Sequence, residues 1–296
     1  MKKLNVLLIA LWLTASCSKD DDNTTEAVNL CAIPSVAPQN AYDNSKPCSI
    51  AVSRSGMIAV GAYNGYGLNA EIKIYTSYQN FSNGIVKSTL TAVSPEAMAF
   101  DADNNLYVSE TEIVAGIKVY DHIGDGAFAV KKTIQDDFNN PRGLAFDAQG
   151  RLFLADDGTG RIIRFDNPFN SDAHVTIGNW DPGIKALAIQ GNVMYVANYV
   201  TNSVSRNTLK PDGTSGGLTH AIDFDKATDL SFNGTRIVVT SFDSGKLGVF
   251  SECNFSDGNG IIYDNLNANF GTAFINNNIV LAATHDANKV TQLLLF

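Results

Sequence analysis

Apolar tetrapeptides recur along the chain with small polar turns behind them. They are SIAV 49–52, AMAF 97–100, GLAF 143–146, ALAI 186–189, DLSF 229–232 and GTAF 271–274, spaced by 48, 46, 43, 43 and 42 residues. A second apolar run follows each after a turn: IAV 58–60, LYV 106–108, LFL 152–154, MYV 194–196, IVV 237–239 and IVL 279–281. A third comes as IKIY 72–75, IKVY 117–120, IIRF 162–165, SVSR 203–206, LGVF 247–250 and VTQL 290–293. A weaker fourth is read at 86–90, 130–134, 174–178, 219–223 and 260–264. Runs this short, bounded by Asn, Asp and Gly, read as strands joined by hairpins.

Four strands in each period of forty-odd residues, repeated six times, predict an all-β six-bladed β-propeller of four-stranded antiparallel blades. The third tetrapeptide residue is Ala51, Ala99, Ala145, Ala188, Ser231 and Ala273. First strands crowd around a propeller axis, and a small residue there lets neighbouring blades pack at normal density. The sixth period ends at Phe296 after three strands. The expected closure takes its missing strand from AVNLCAI, residues 27–33, which removes an exposed edge.

One period carries a family resemblance. NPRGLAFDAQGRLFLADDGTGRIIRFD, residues 140–166, resembles an NHL repeat: Pro–x–Gly–aliphatic–Ala–x–Asp, then Gly–x–aliphatic, then Ala–Asp and Arg–Ile. Period two matches in part, and the others in their apolar skeleton. The resemblance implies a six-bladed propeller over residues 47–296. That architecture is shared by gluconolactonase-like, strictosidine-synthase-like and peptide-amidating lyase enzymes, and by pure binding modules, so it does not assign an activity.

The first residues change where such a domain is placed. MKKLNVLLIALWLTASC has a basic start, an apolar stretch from Leu4 to Leu13 too short for a stable span, and small residues leading to Cys17. This resembles a bacterial lipobox. Residues 1–16 are read as a lipoprotein signal peptide, Cys17 as the lipidation site, and 17–26 as an acidic tether leading to the propeller, 27–296. SKDDDNTTE behind Cys17 is similar to the surface-export signal of certain Gram-negative lipoproteins. The expected address is the outer membrane at the cell surface, with a periplasm-facing position as the alternative. Loss of residues 1–16 leaves 19 basic against 30 acidic residues, a formal charge of −11, which repels phosphate backbones and argues against nucleic acid as a partner. Cys31, Cys48 and Cys253 remain; outside the cytoplasm one pair could oxidise, and spacing leaves the pairing open.

Several apparent motifs dissolve in the repeat frame. Residues 101–112 imitate a calcium loop, but Leu106 stands where Gly is needed and a core strand runs through it. GTSGG, 213–217, fits a nucleophile elbow but lies in a turn between antiparallel strands. Glu110, Asp156, Asn198 and Ser241 are equivalent positions where strand two ends, and Asp there is read first as turn punctuation.

Propeller ligands meet the face where loops into first strands and loops from second to third strands converge. The strand-entrance positions are Cys48, Glu96, Arg142, Lys185, Thr228 and Phe270; Tyr63, Tyr199 and Phe242 share one position in the joining loops. The candidate ligand face comprises Tyr63, Glu96, Glu110, Arg142, Asp156, Lys185, Asn198, Tyr199, Phe242 and Asp243. Aromatic plates beside carboxylates and amides suit sugars or peptides, although rings packed between loops give the same pattern. The resulting expectation is a lipid-anchored binding or scaffold module for a glycan, peptide or envelope protein, without catalytic residues or a resident cofactor. The alternative is a metal-dependent lactonase or related hydrolase, with Glu96, Asp156, Asn198 and Asp229 around a divalent cation.

Overall fold

The computed structural model describes residues 31–32, 35–111, 113, 115–264, 266 and 269–296. Cys17, the signal segment, the tether and most of the expected closing strand lie outside the described residues.

The repeat frame folds as six four-stranded antiparallel sheets around an axis. The first strand of each blade is innermost: Pro47–Val52, Pro95–Phe100, Pro141–Phe146, Ile184–Gln190, Ala227–Phe232 and Asn269–Asn276. Each touches the first strands of both neighbours, so the ring is closed. Blade three shows the pattern, running outward through Leu152–Asp156 and Arg161–Phe165 to His174–Asn179.

No blade has a core of its own. The buried apolar residues form six clusters, each shared by two adjacent blades: Tyr107 and Ile117 of blade two with Leu152 and Phe165 of blade three, Tyr195 of blade four with Leu230 and Phe250 of blade five, and so on around the ring. This is the stacking expected of a repeat unit too thin to bury both faces alone.

Closure uses an N-terminal strand, but Val36–Asp43 rather than 27–33. It pairs antiparallel with Lys289–Leu295 from Val36↔Leu295 to Asp43↔Lys289, and the amide of Phe296 donates to Ser35 O at 3.0 Å. Residues 31 and 32 form a turn and a bend instead. The reason is positional. An outermost strand is wet on both faces, so VAPQNAYD needs no apolar alternation to serve as one. A polar stitch holds the seam: Gln292 Oε1 accepts from Tyr78 Oη at 2.6 Å, Tyr42 Oη at 3.0 Å and Asn40 Nδ2 at 3.1 Å. Tyr78 comes from a short helix, Tyr78–Ser82, in blade one, so the stitch joins the first and last blades.

A disulfide links Cys31 to Cys253, and Asn254 Nδ2 donates to Cys31 O at 3.1 Å. Cys253 lies in a 3-10 turn, Glu252–Asp257, on blade five, so the segment leading to the closing strand is fastened to the neighbouring blade. Cys48 is a free thiol, buried beside the axis.

Candidate functional site

The strand-entrance residues are placed by a recurring fault in pairing. In every blade the register between strands one and two slips at the start of strand one. In blade one, Pro47 faces Ala62 and Ser49 faces Gly61, so Cys48 is left out of register. In the other blades the slip falls at Glu96, at Arg142–Gly143, at Lys185, at Thr228 and at Phe270–Gly271. A bulge of this kind bends the strand and re-aims the extra side chain. Here the six extra side chains gather around a constriction in the axis enclosing only about 20 Å³. Two positions before the bulge, Lys46, Ser94, Asn140, Gly183 and Lys226 all have positive φ, turning the chain inward in five blades. A Cβ on Gly143 would come within 2.6 Å of the Ala186 Cα, so blades three and four can meet closely there only without one.

A second ring surrounds the first. The residue directly after strand two is Tyr63, Thr111, Asp157, Tyr199, Phe242 and His285 in blade order. The two rings divide the face into unlike halves.

The charged half spans blades two to four. Arg142 Nη1 lies 2.6 Å from Glu96 Oε2, and its Nε lies 3.1 Å from Asp157 Oδ2. Lys185 Nζ reaches the same Asp157 oxygen at 2.6 Å, and Asn140 Nδ2 at 2.7 Å. Burial, then the Arg142 guanidinium, push the Lys185 amine below the ordinary lysine range. Two cations and two carboxylates thus close the axis on one another.

The aromatic half spans blades five, six and one. Phe242 stacks on Phe270 with centroids 4.1 Å apart, and the His285 ring stands edge-on to Phe270 at 5.2 Å and lies 6.4 Å from Tyr63. Beside Phe242 a groove of about 600 Å³ is rimmed by Asp243, Asp264 and Asp286, all exposed. Tyr199 bridges the halves: its hydroxyl donates to the Asp243 carboxylate, and Lys226 Nζ lies 4.4 Å from its ring centroid.

Cys48 and Asp229 sit near the junction. The Cys48 thiol donates to Pro95 O at 2.9 Å, and burial pushes its pKa far up. Asp229 accepts from the Thr272 amide at 2.7 Å; enclosure pushes its pKa up to about 7 against the pull of the Thr272 and Leu230 amides.

Of the ten residues expected on the face, seven belong to this arrangement: Tyr63, Glu96, Arg142, Lys185, Tyr199, Phe242 and Asp243. The structure engages Glu110, Asp156 and Asn198 in bonds within their own turns and neighbouring strands instead. Glu110 accepts from the Val93 amide at 2.8 Å. Asp156, wholly buried, accepts from the Asn139 amide at 2.7 Å, Thr159 Oγ1 at 2.6 Å and Arg161 Nη2 at 3.0 Å. Asn198 Oδ1 takes the Val200 and Thr201 amides, each at 2.9 Å. Of the groups such a cation would share, Glu96 pairs with Arg142, Asp156 and Asn198 serve these turns, and Asp229 accepts from the Thr272 and Leu230 amides. Among the described residues no three His, Cys, Asp or Glu cluster to hold a metal ion. Three members of the arrangement lie outside those ten: Asp157, Phe270, which is one of the strand-entrance positions, and His285. Their signal was the repeat itself, since Asp157 and His285 occupy the position already marked by Tyr63, Tyr199 and Phe242.

No protein-family model matches the sequence, and no curated protein does. Solved structures match in fold. A periplasmic gluconolactonase from Pseudomonas aeruginosa aligns with a TM-score of 0.63 at 15% identity, over 83% of this chain and 80% of that one. Virginiamycin B lyase from Staphylococcus aureus aligns at 0.57 and 13% identity, over 88% and 100%. A chain of a nidogen/laminin complex aligns at 0.59 and 13%, over 76% and 83%. Enzymes and a chain of a nidogen/laminin complex are thus about equally near, and at such identities the likeness is one of fold: the chain is a six-bladed β-propeller.

Proposed function

We propose that the protein is a binding or scaffold module that takes a glycan or peptide in the groove between blades five and six. The supporting observation is the Phe242–Phe270 stack set against the Asp243, Asp264 and Asp286 rim. A ring plate beside carboxylate acceptors meets the apolar face of a sugar, or of a peptide side chain, while fixing its polar groups. The charged half supports this reading by contrast, because its ionic groups are engaged with one another. In the same proposal Cys17 carries a lipid that fastens the module to the outer membrane, on the cell-surface side.

Glycan and peptide arrays probed with residues 23–296 test the binding reading. A saturable hit that weakens at least ~10-fold in Phe242→Ala is expected for an aromatic anchor. No hit, together with EDTA-sensitive hydrolysis of a lactone panel, would replace it with the hydrolase reading. Metabolic labelling with a fatty-acid analogue, lost in Cys17→Ala, tests the anchor.

A further inference from the structure

The opposite end of the axis is built differently. Below the constriction a cavity of about 360 Å³ runs along the first strands and reaches exposed residues of the far face, Arg54 and Ala102 in turns and Gln190 at the end of a first strand, where it opens. Its middle is the small layer, Ala99, Ala145 and Ala188 among them. Phe100, Phe146, Phe232 and Phe274, which pack against the clusters between blades, also line it. Each first strand is the terminal strand of its sheet, so one edge of its backbone lacks a strand partner and lines the axis. At the inner end stands Asp229, whose carboxylate is met by the Thr272 and Leu230 amides. Among the described residues no cationic side chain lies within ion-pair distance of it.

We propose that this cavity binds a primary alkylammonium group, with the head at Asp229 and the carbon chain along the alanine layer. Three matches carry the proposal. An ammonium head has three donors and no acceptor, and the inner end offers a carboxylate and strand-edge carbonyls. The charge it brings is the one Asp229 lacks, and a paired carboxylate in a low-dielectric site is far cheaper than a lone one. The alanine and phenylalanine residues of the wall suit an alkyl chain, and among the described residues no three His, Cys, Asp or Glu cluster to hold a metal ion. A volume of about 360 Å³ falls within the range of small-ligand pockets. The site is independent of the groove on the other face, and either can fail without the other.

The probe is n-butylammonium, with n-butanol as its neutral counterpart and tetramethylammonium as a cation without N–H donors. Titration calorimetry and ligand-observed NMR read the binding. Saturable binding of n-butylammonium over both controls is expected, weakened ~10-fold or more in Asp229→Asn. The groups facing Asp229 are Cys48, Glu96, Arg142 and Lys185 of blades one to four, whereas blade six presents Phe270 and Thr272, which do not titrate. Glu96 and Arg142 hold each other, and Lys185 is held by Asp157. Asp229 is therefore the group whose ionisation should make binding tighter at about pH 8 than at about pH 5.5, and Asp229→Asn should abolish that difference. Ala188→Met, which fills the middle of the cavity with Asp229 intact, should also abolish binding and serves if Asp229→Asn does not fold. Absence of saturable binding would overturn the proposal. So would equal binding by Asp229→Asn, which would place the cation on the acidic exterior, or equal binding of n-butanol, which would leave only an apolar hole.

Discussion

The two halves of the ringed face occupy equivalent backbone positions and reach opposite ends. In blades two to four the bulge and joining-loop positions hold Glu96, Arg142, Asp157 and Lys185, which neutralise one another and close the axis. In blades five, six and one they hold Phe270, Phe242, His285 and Tyr63, which stack without closing and leave an acid-rimmed groove beside them. The bulge supplies the aim, and the side chain alone decides whether a blade braces the ring or offers a surface. Self-satisfaction of one half frees the other to be the place where something outside the protein completes the contacts.

The most damaging way to break this comparison is Arg142→Ala. It takes the guanidinium away from Glu96 and leaves Asp157 with Lys185 and Asn140, and loss of one partner from a largely buried ion network costs about 3 kcal/mol. Urea unfolding should show that loss, while affinity for a groove ligand stays unchanged. Next comes Asp229→Asn. Because the folded-state pKa of Asp229 is raised to about 7, its ionisation costs stability as pH climbs through the interval between the ordinary aspartate value and about 7. Asn removes that cost but keeps one acceptor for two amides, so a gain of about 2 kcal/mol is expected at pH 8, fading by pH 4. Melting curves at both pH values check the sign; a gain larger at pH 4 would refute it.

Phe242→Ala should do the converse of Arg142→Ala. Half-exposed and stacked on one ring, Phe242 should cost about 1 kcal/mol of stability when truncated, with its main effect on binding. Combining the two substitutions sharpens the contrast: their stability costs should add to within about 0.5 kcal/mol, since Arg142 meets Glu96 and Asp157 whereas Phe242 meets Phe270 and His285. The smallest effect belongs to Cys48. Its thiol, buried and bonded to Pro95 O, should resist iodoacetamide in the native protein and react on unfolding. Rapid native alkylation would show that the axis opens at this end.

The frame of the fold was legible because a propeller repeats one burial pattern, and the small third residue of the tetrapeptide marks the axis directly. The bulges were not, since a one-residue slip in pairing has no residue signature. Asn140 and Gly183 hint at the positive φ that precedes it, but Lys46, Ser94 and Lys226 do not. The pair Asp156–Asp157 shows the same limit at the site. The repeat marks the first as a turn residue, and the structure buries it in one. The second lies one residue beyond the strand and swings to the axis, because direction reverses at each step along an extended chain. The closing strand was sought at 27–33 because that segment is apolar, whereas the outer edge of a blade asks for nothing apolar.

The Cys31–Cys253 link also sets a path for force. A ring closed by an outer strand is weakest when that strand is peeled from its end, one hydrogen-bonded pair at a time. Any pull arriving from residues before Cys31 passes first through a covalent bond into the body of blade five, and Val36–Asp43 is left slack behind it. With the bond reduced, the same pull would act on the end of the seam and open the ring like a zip.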